Sequence, residues 1–232
     1  RKTTIFEDIV KKRNPLWILM FYLFLGIGLL ILLTIGNYRF SKENPGGNDF
    51  LVHWVGARAY IEDGLSPYSD EVALRIQEIA YGRPAQEGEH ELRIAYPLYS
   101  ILIFLPFALI KEYVLARAIW MTLLEAGIII FAFITLRLST WRPKPIMLVF
   151  FLLFSVFWYH SLRPIILGNV VILVAFGLAL SVYAIRNGNY ELAGVILAFT
   201  TIKPQVVLIP VFFLLLWGIF NKKWKIIFWF GA

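Results

Sequence analysis

Long apolar runs alternate with short polar turns along this chain, and the runs have the length of membrane helices. Residues 16–36 form the first, about 21 residues or roughly 31 Å of helix. Further runs predict helices at 113–136, 146–160, 168–185, 188–203 and 204–220. None shows the strict alternation of a spanning strand, so the spans are expected to be helical. The predicted class is all-α, a polytopic transmembrane helical bundle forming one integral membrane domain over residues 1–232. Residues 94–110, IAYPLYSILIFLPFALI, depart from this scheme because Pro97 and Pro106 interrupt the run. They are expected as a re-entrant or interfacial element. Residues 37–93 are polar but patterned. NDFLVHWVGARAYIEDG predicts an interfacial helix with Asn48 at its N-cap and Gly64 as its stop. SPYSDEVALRIQEIAYG predicts a second, capped by Ser69 with Asp70 and Glu71 in its first turn.

Composition agrees with the pattern. The chain is 59% hydrophobic with mean hydropathy +0.72, where ordinary soluble domains are about 45–50% apolar. There are no cysteines, which removes disulfides, thiolate metal sites and cysteine nucleophiles. With three histidines, a dedicated zinc site is not expected. The net charge of +7 is scattered between apolar segments. It reads as a positive-inside bias and not as a nucleic-acid-binding face.

Charge also orients the chain. Arg1, Lys2, Lys11, Lys12 and Arg13 outnumber Glu7 and Asp8, which places the N-terminus in the cytoplasm. Residues 37–93 hold 10 of the 15 acidic residues and 6 of the 22 basic ones, as expected of an extracytoplasmic loop. Arg137, Arg142, Lys144, Arg186, Lys222, Lys223 and Lys225 mark turns on the cytoplasmic side. The implied location is the bacterial plasma (inner) membrane. The chain begins without Met and ends at KIIFWFGA, within a further apolar segment, so an incomplete C-terminus is expected.

Lys203, in LAFTTIKPQVVLIP, is the residue that raises a chemical question. It lies about 17 residues from Arg186, roughly 25 Å along a helix, so it belongs to an outward-facing turn and not to mid-membrane. The same arithmetic brings Asn169 to that face, His160 and Arg163 end an outward span there, and Asp49 and His53 follow the first span closely. The topology thus gathers these residues with Arg58, Tyr96 and Gln205 at the outer face. Each also has a plainer role. Lys203 and Arg163 can snorkel to headgroups, Asp49 can complement a helix N-terminus, and His53 and His160 can be interface histidines. Together, a carboxylate can take a proton from a hydroxyl while Lys203 and Arg163 hold a phosphate. That is the chemistry of lipid-linked glycosyl transfer. A transport path is disfavoured, because the spans are apolar apart from Arg117 and Glu125. Glu125 reads as a paired or protonated structural glutamate ahead of a proton relay.

Several motifs taken in order resemble glycosyltransferase family 87. They are Asp49-Phe50 after the first span, the Ala57-Arg58-Ala59 helix ending at Gly64 and Pro67-Tyr68, Tyr96-Pro97, Gly168-Asn169, and the Ala-Gly helix ending in Lys203-Pro204. The resemblance implies a GT-C-type bundle, here its N-terminal half. It implies transfer of a hexose (mannose-like) or a pentose from a polyprenyl-phosphate donor to a lipid or glycan acceptor on the extracytoplasmic face. Asp49 would be the general base, with inversion and with no metal or other cofactor required. Membrane lipids are the expected surroundings. A non-catalytic accessory subunit of a larger membrane complex is the alternative. The family's glycine-polar motif is usually Gly-Gln-x-Asn. Here it is Gly168-Asn169-Val170-Val171, so the second amide is absent.

Overall fold

The structure, a computed structural model, describes residues 15–232. The N-terminal charges, from which a cytoplasmic N-terminus is expected, lie outside the described residues. Every regular element among those described is helical: α1 (Pro15–Glu43), α2 (Asn48–Glu62), α3 (Asp70–Tyr81), a 3₁₀ turn (Leu98–Ser100), α4 (Ile101–Ala108), α5 (Tyr113–Ser139), α6 (Pro145–Phe157), α7 (Tyr159–Leu167), α8 (Val171–Arg186), α9 (Tyr190–Thr200), α10 (Pro204–Phe220) and α11 (Trp224–Gly231).

Two of these, α1 and α5, are long and apolar enough to cross a membrane. The pair α6 and α7, bent by 46° at Trp158, makes a third candidate if it counts as one span. α1 is apolar on all sides and its apolar stretch is unburied by the protein, the pattern of a lipid-facing helix. It continues past residue 36 to Glu43 because its polar end finds partners on α5. The Asn37 amide donates to Thr122 Oγ1 at 3.1 Å and to Glu125 Oε2 at 2.9 Å. Glu125 is thus paired across a helix contact.

α8, α9 and α10 are apolar but shorter, at 16, 11 and 17 residues. α9 spans only about 16 Å, near half the hydrocarbon thickness. The expected span 188–203 loses both ends to turns, at 187–189 and 201–203. The turns after α5, α8 and α10 share one end of the bundle. Arg186 donates to Leu138 O at 2.8 Å, and Lys223 lies 4.6 Å from the Tyr190 ring.

The opposite end is covered by α2, α3 and α4. Asn48 is the first residue of α2 and not its cap. The N-cap is Gly47, in a left-handed conformation whose side carries no oxygen acceptor. Ser69 does cap α3, its Oγ accepting the Val72 N–H. Residues 94–110 form the 3₁₀ turn and the eight-residue α4, which tucks against α2. The carbonyls at the end of α4 find donors on α2: Trp54 Nε1 reaches Phe107 O and Ile110 O, and Arg58 reaches Ala108 O. The core sits where α2 meets α5. Phe50, Phe104 and Trp120 are fully buried there, with the Phe50 ring stacked 5.5 Å from Trp120 and 6.0 Å from Tyr113.

Candidate active site at the covered end of the bundle

Asp49 lies in the first turn of α2, where the helix dipole favours a carboxylate. Asn169 lies in the turn between α7 and α8, and Lys203 occupies the N-cap of α10, with Pro204 opening that helix. These three side chains form one chain of hydrogen bonds. The Asn169 amide donates to Asp49 Oδ2 at 2.7 Å, while its carbonyl oxygen accepts from Lys203 Nζ at 2.8 Å. That same oxygen accepts the Val171 N–H at 3.0 Å, which fixes the amide's orientation. Asp49 and Lys203 are therefore coupled through an amide, with no direct ion pair between them.

Close backbone approach explains how residues 120 positions apart meet. Gly168 has φ +74°, and a Cβ there would sit 2.4 Å from Phe50 Cβ. Only glycine allows α7 to end this close to α2. Because Gly168 lies against Phe50, its neighbour Asn169 reaches Asp49. Trp120, buried under both, donates to Gly168 O at 2.9 Å.

Two rings line the cluster. His53 stacks between Tyr96 and Phe104, with centroids 4.3 and 4.5 Å away. Burial, followed by the charge of Lys203, lowers the His53 pKa to about 3, so the ring is neutral. Tyr96 is pushed up to about 12, by burial first and by the Asp49 charge second. Lys203 Nζ lies 5.9 Å from the Tyr96 ring centroid. Burial lowers the Lys203 pKa, and the Asp49 charge opposes that shift.

Asp49, His53, Tyr96, Asn169 and Lys203 thus come together. Four other expected residues do not. Arg58 is held on the far side of α2 by Glu62, its i+4 neighbour, and lies over the Trp54 ring. Arg163 bonds the hydroxyl of Tyr159, four residues earlier on α7. His160 lies against Trp158 and Tyr159 and lines a largely apolar cavity of about 370 Å³ between α5, α6, α7 and α8, a cavity whose wall includes Val171 and Ile172. Gln205 is exposed and makes no polar contact among the described residues. The i+4 spacings of Arg58 with Glu62 and of Tyr159 with Arg163 are visible in the sequence and signal local pairing. Sequence reasoning missed Gly168's contact with Phe50, and the donors Tyr113, Arg117 and Trp120. Their i, i+4, i+7 spacing on α5 is the signal that marks one face.

Comparison with known proteins found no match among curated proteins and none among solved structures. Residues 95–232 match the family described as Glycosyltransferase family 87. The matched segment holds Tyr96, Asn169 and Lys203; Asp49 and His53 precede it and join it through the contacts above. As the match covers more than half of the chain, the chain belongs to glycosyltransferase family 87.

Proposed function

We propose that this protein transfers a hexose (mannose-like) or a pentose from a polyprenyl-phosphate donor to a lipid or glycan hydroxyl on the extracytoplasmic face, with Asp49 as general base. The observation that carries this reading is the amide of Asn169, which holds a carboxylate and an ammonium close together without letting them neutralise each other. Asp49 Oδ2 is occupied by Asn169, and Oδ1 makes no bond among the described residues. Oδ1 can take the proton of the acceptor hydroxyl as its oxygen bonds the anomeric carbon. The bond from that carbon to the donor phosphate breaks on the opposite face, so the configuration inverts. The phosphate leaves with negative charge, where Lys203 has further N–H donors to offer it.

His53 and Tyr96 both favour this use of Asp49. His53 stays neutral and so does not compete for the role of cation. Tyr96 keeps its proton and offers a ring face beside the cluster, suited to a sugar's apolar face. Val171 and Ile172, two and three residues from Asn169, line the apolar cavity, which suits the isoprenoid chain of a lipid-linked donor. The reading is GT-C-type catalysis in which the polar end of the bundle does the chemistry and the apolar flank receives the lipid.

The test is transfer of labelled sugar from polyprenyl-phosphate-mannose in membranes, comparing wild type with Asp49→Asn at matched expression. Loss of about 10²–10⁴-fold in rate is expected. Equal activity in both would remove Asp49 from the chemistry. Lys203→Ala should weaken use of the donor at least as much as use of the acceptor.

A further inference from the structure

The first turns of α5 carry three hydrogen-bond donors on one face, and each reaches a backbone carbonyl of a segment that leads into the site. The Tyr113 hydroxyl donates to Gly46 O at 2.7 Å. Arg117 Nη1 donates to Asn44 O at 2.8 Å and Nη2 to Ile166 O at 3.0 Å. Trp120 Nε1 donates to Gly168 O at 2.9 Å. Residues 44–47 run directly into Asp49, and residues 166–168 run directly into Asn169. Arg117 is the side chain that bonds both.

Its surroundings are unusual for a buried cation. Arg117 is 2% exposed, no carboxylate pairs with it among the described residues, and its Nε has no partner. Its two acceptors stand at the C-terminal ends of α1 and α7, where unsatisfied carbonyls carry the negative end of each helix dipole. An apolar side chain of similar volume would fill this space without desolvating a charge. What an apolar side chain, or the single ammonium of lysine, does not supply is a planar fork that spans two carbonyls at a set separation. Gly47 has no Cβ, and one built there would lie 2.5 Å from Arg117 Nε, so the turn before Asp49 is packed directly on the guanidinium.

We propose that Arg117 is a positioning residue: it sets the separation of the Asp49 and Asn169 segments, and through Asn169 the place of Lys203. The catalytic part of this proposal rests on the glycosyl-transfer reading above; the geometric part does not. Displacing a reacting group by about 1 Å can cost 10²-fold in rate. Arg117→Lys keeps the charge but loses the fork.

Two measurements on the full chain in membranes test this. The first is kinetics per folded molecule. Arg117→Lys should lower kcat by roughly 10- to 100-fold, with the KM for donor changed by less than about threefold. A wild-type kcat in Arg117→Lys, or a loss that lies wholly in the amount of folded protein, would overturn the proposal. The second uses the absence of cysteine. Spin labels at Asn48→Cys and Ile166→Cys should give a narrow distance distribution that broadens in Arg117→Lys. An unchanged distribution would overturn the proposal. If wild type transfers no lipid-linked sugar, the glycosyl-transfer reading fails and the label distances alone decide the role of Arg117.

Discussion

Gly168 is the residue on which the site's geometry depends most directly. Its φ of +74° is a left-handed conformation that costs an L-residue roughly 1–2 kcal/mol. A Cβ there would also meet Phe50 Cβ at 2.4 Å, where the Phe50 backbone, at 3.3 Å, leaves no room to withdraw. Overpacking of this kind adds typically 1–3 kcal/mol. Gly168→Ala should therefore lower thermal stability in detergent by an amount near the sum of these effects. The remaining folded protein should be poorly active, because Asn169 moves with Gly168. Stability loss with full activity per folded molecule would separate Gly168 from the site. His53 offers a residue-scale test by pH. The fold holds it neutral down to about pH 3, while an unfolded chain protonates it near 6.5. Its contribution to stability is complete above about pH 6.5 and is lost progressively as pH falls toward 3. His53→Phe keeps a ring against Tyr96 and Phe104 but removes the titration. Between pH 6.5 and 4 the melting temperature of wild type should fall more steeply than that of the variant. Parallel slopes would mean that His53 is protonated in the fold.

At the scale of elements, α1 and α5 are joined by a polar seam within an apolar contact. Thr34 and Thr122 share a hydrogen bond of 3.0 Å, and Asn37 donates to both Thr122 and Glu125. Polar bonds between membrane helices are worth about 0.6 kcal/mol on average and up to about 1.7. Asn37→Leu removes two of them, so unfolding in mixed micelles should become easier by roughly 1–3 kcal/mol. A smaller change in the double variant Asn37→Leu with Glu125→Gln than the sum of the two singles would show that they act as one unit. The elements also show what the sequence makes legible. The capped start of α3 at Ser69 and the start of α10 at Pro204 follow from local chemistry, and both are visible in the sequence. The reach of α1 to Glu43 is not, because the polar side chains of its last turns, Asn37, Tyr38 and Ser41, find their partners at Glu112, Met121, Thr122 and Glu125, more than 70 residues on. The N-cap of α2 escapes for a similar reason. Asn48 has the preferred chemistry, but the turn packs on Arg117 and Tyr113, and only Gly47 fits there. In the site, Asn169 and Lys203 reach one face by counting helical rise from the basic turns, and Asp49 joins them because it closely follows the first span. Their mutual hydrogen bonds depend on the Gly168–Phe50 contact, which no local pattern announces. Arg58 and Arg163 are expected at the same face but are taken by neighbours four residues away.

At the scale of the whole molecule, the two ends of the bundle differ in charge and in chemistry. The turns bearing Arg137, Arg186, Lys222 and Lys223 gather at one end, held by the bonds of Arg186 to residues 137–138 and by the contact of Lys223 with Tyr190. Asp49, Asn169 and Lys203 lie at the other, where the first turn of α2 meets the turns that precede α8 and α10. The proposed reaction requires the basic turns to face the cytoplasm and the site to face outward, where a lipid-linked donor is within reach and soluble nucleotide sugars of the cytoplasm are not. The absence of cysteine allows a direct check with single substitutions on the exposed loops. Glu87→Cys, in the loop after α3, should react in intact cells with a maleimide that does not cross membranes. Arg142→Cys, between α5 and α6, should react only after the membrane is opened. The opposite labelling would place Asp49 and Lys203 in the cytoplasm and would remove the extracytoplasmic donor from the proposed reaction, leaving the hydrogen-bonded cluster intact but with a different sugar source. Agreement with the expected labelling would leave the polyprenyl-phosphate donor as the sugar carrier on the same side as the base, and Lys203 as the charge placed to meet its phosphate.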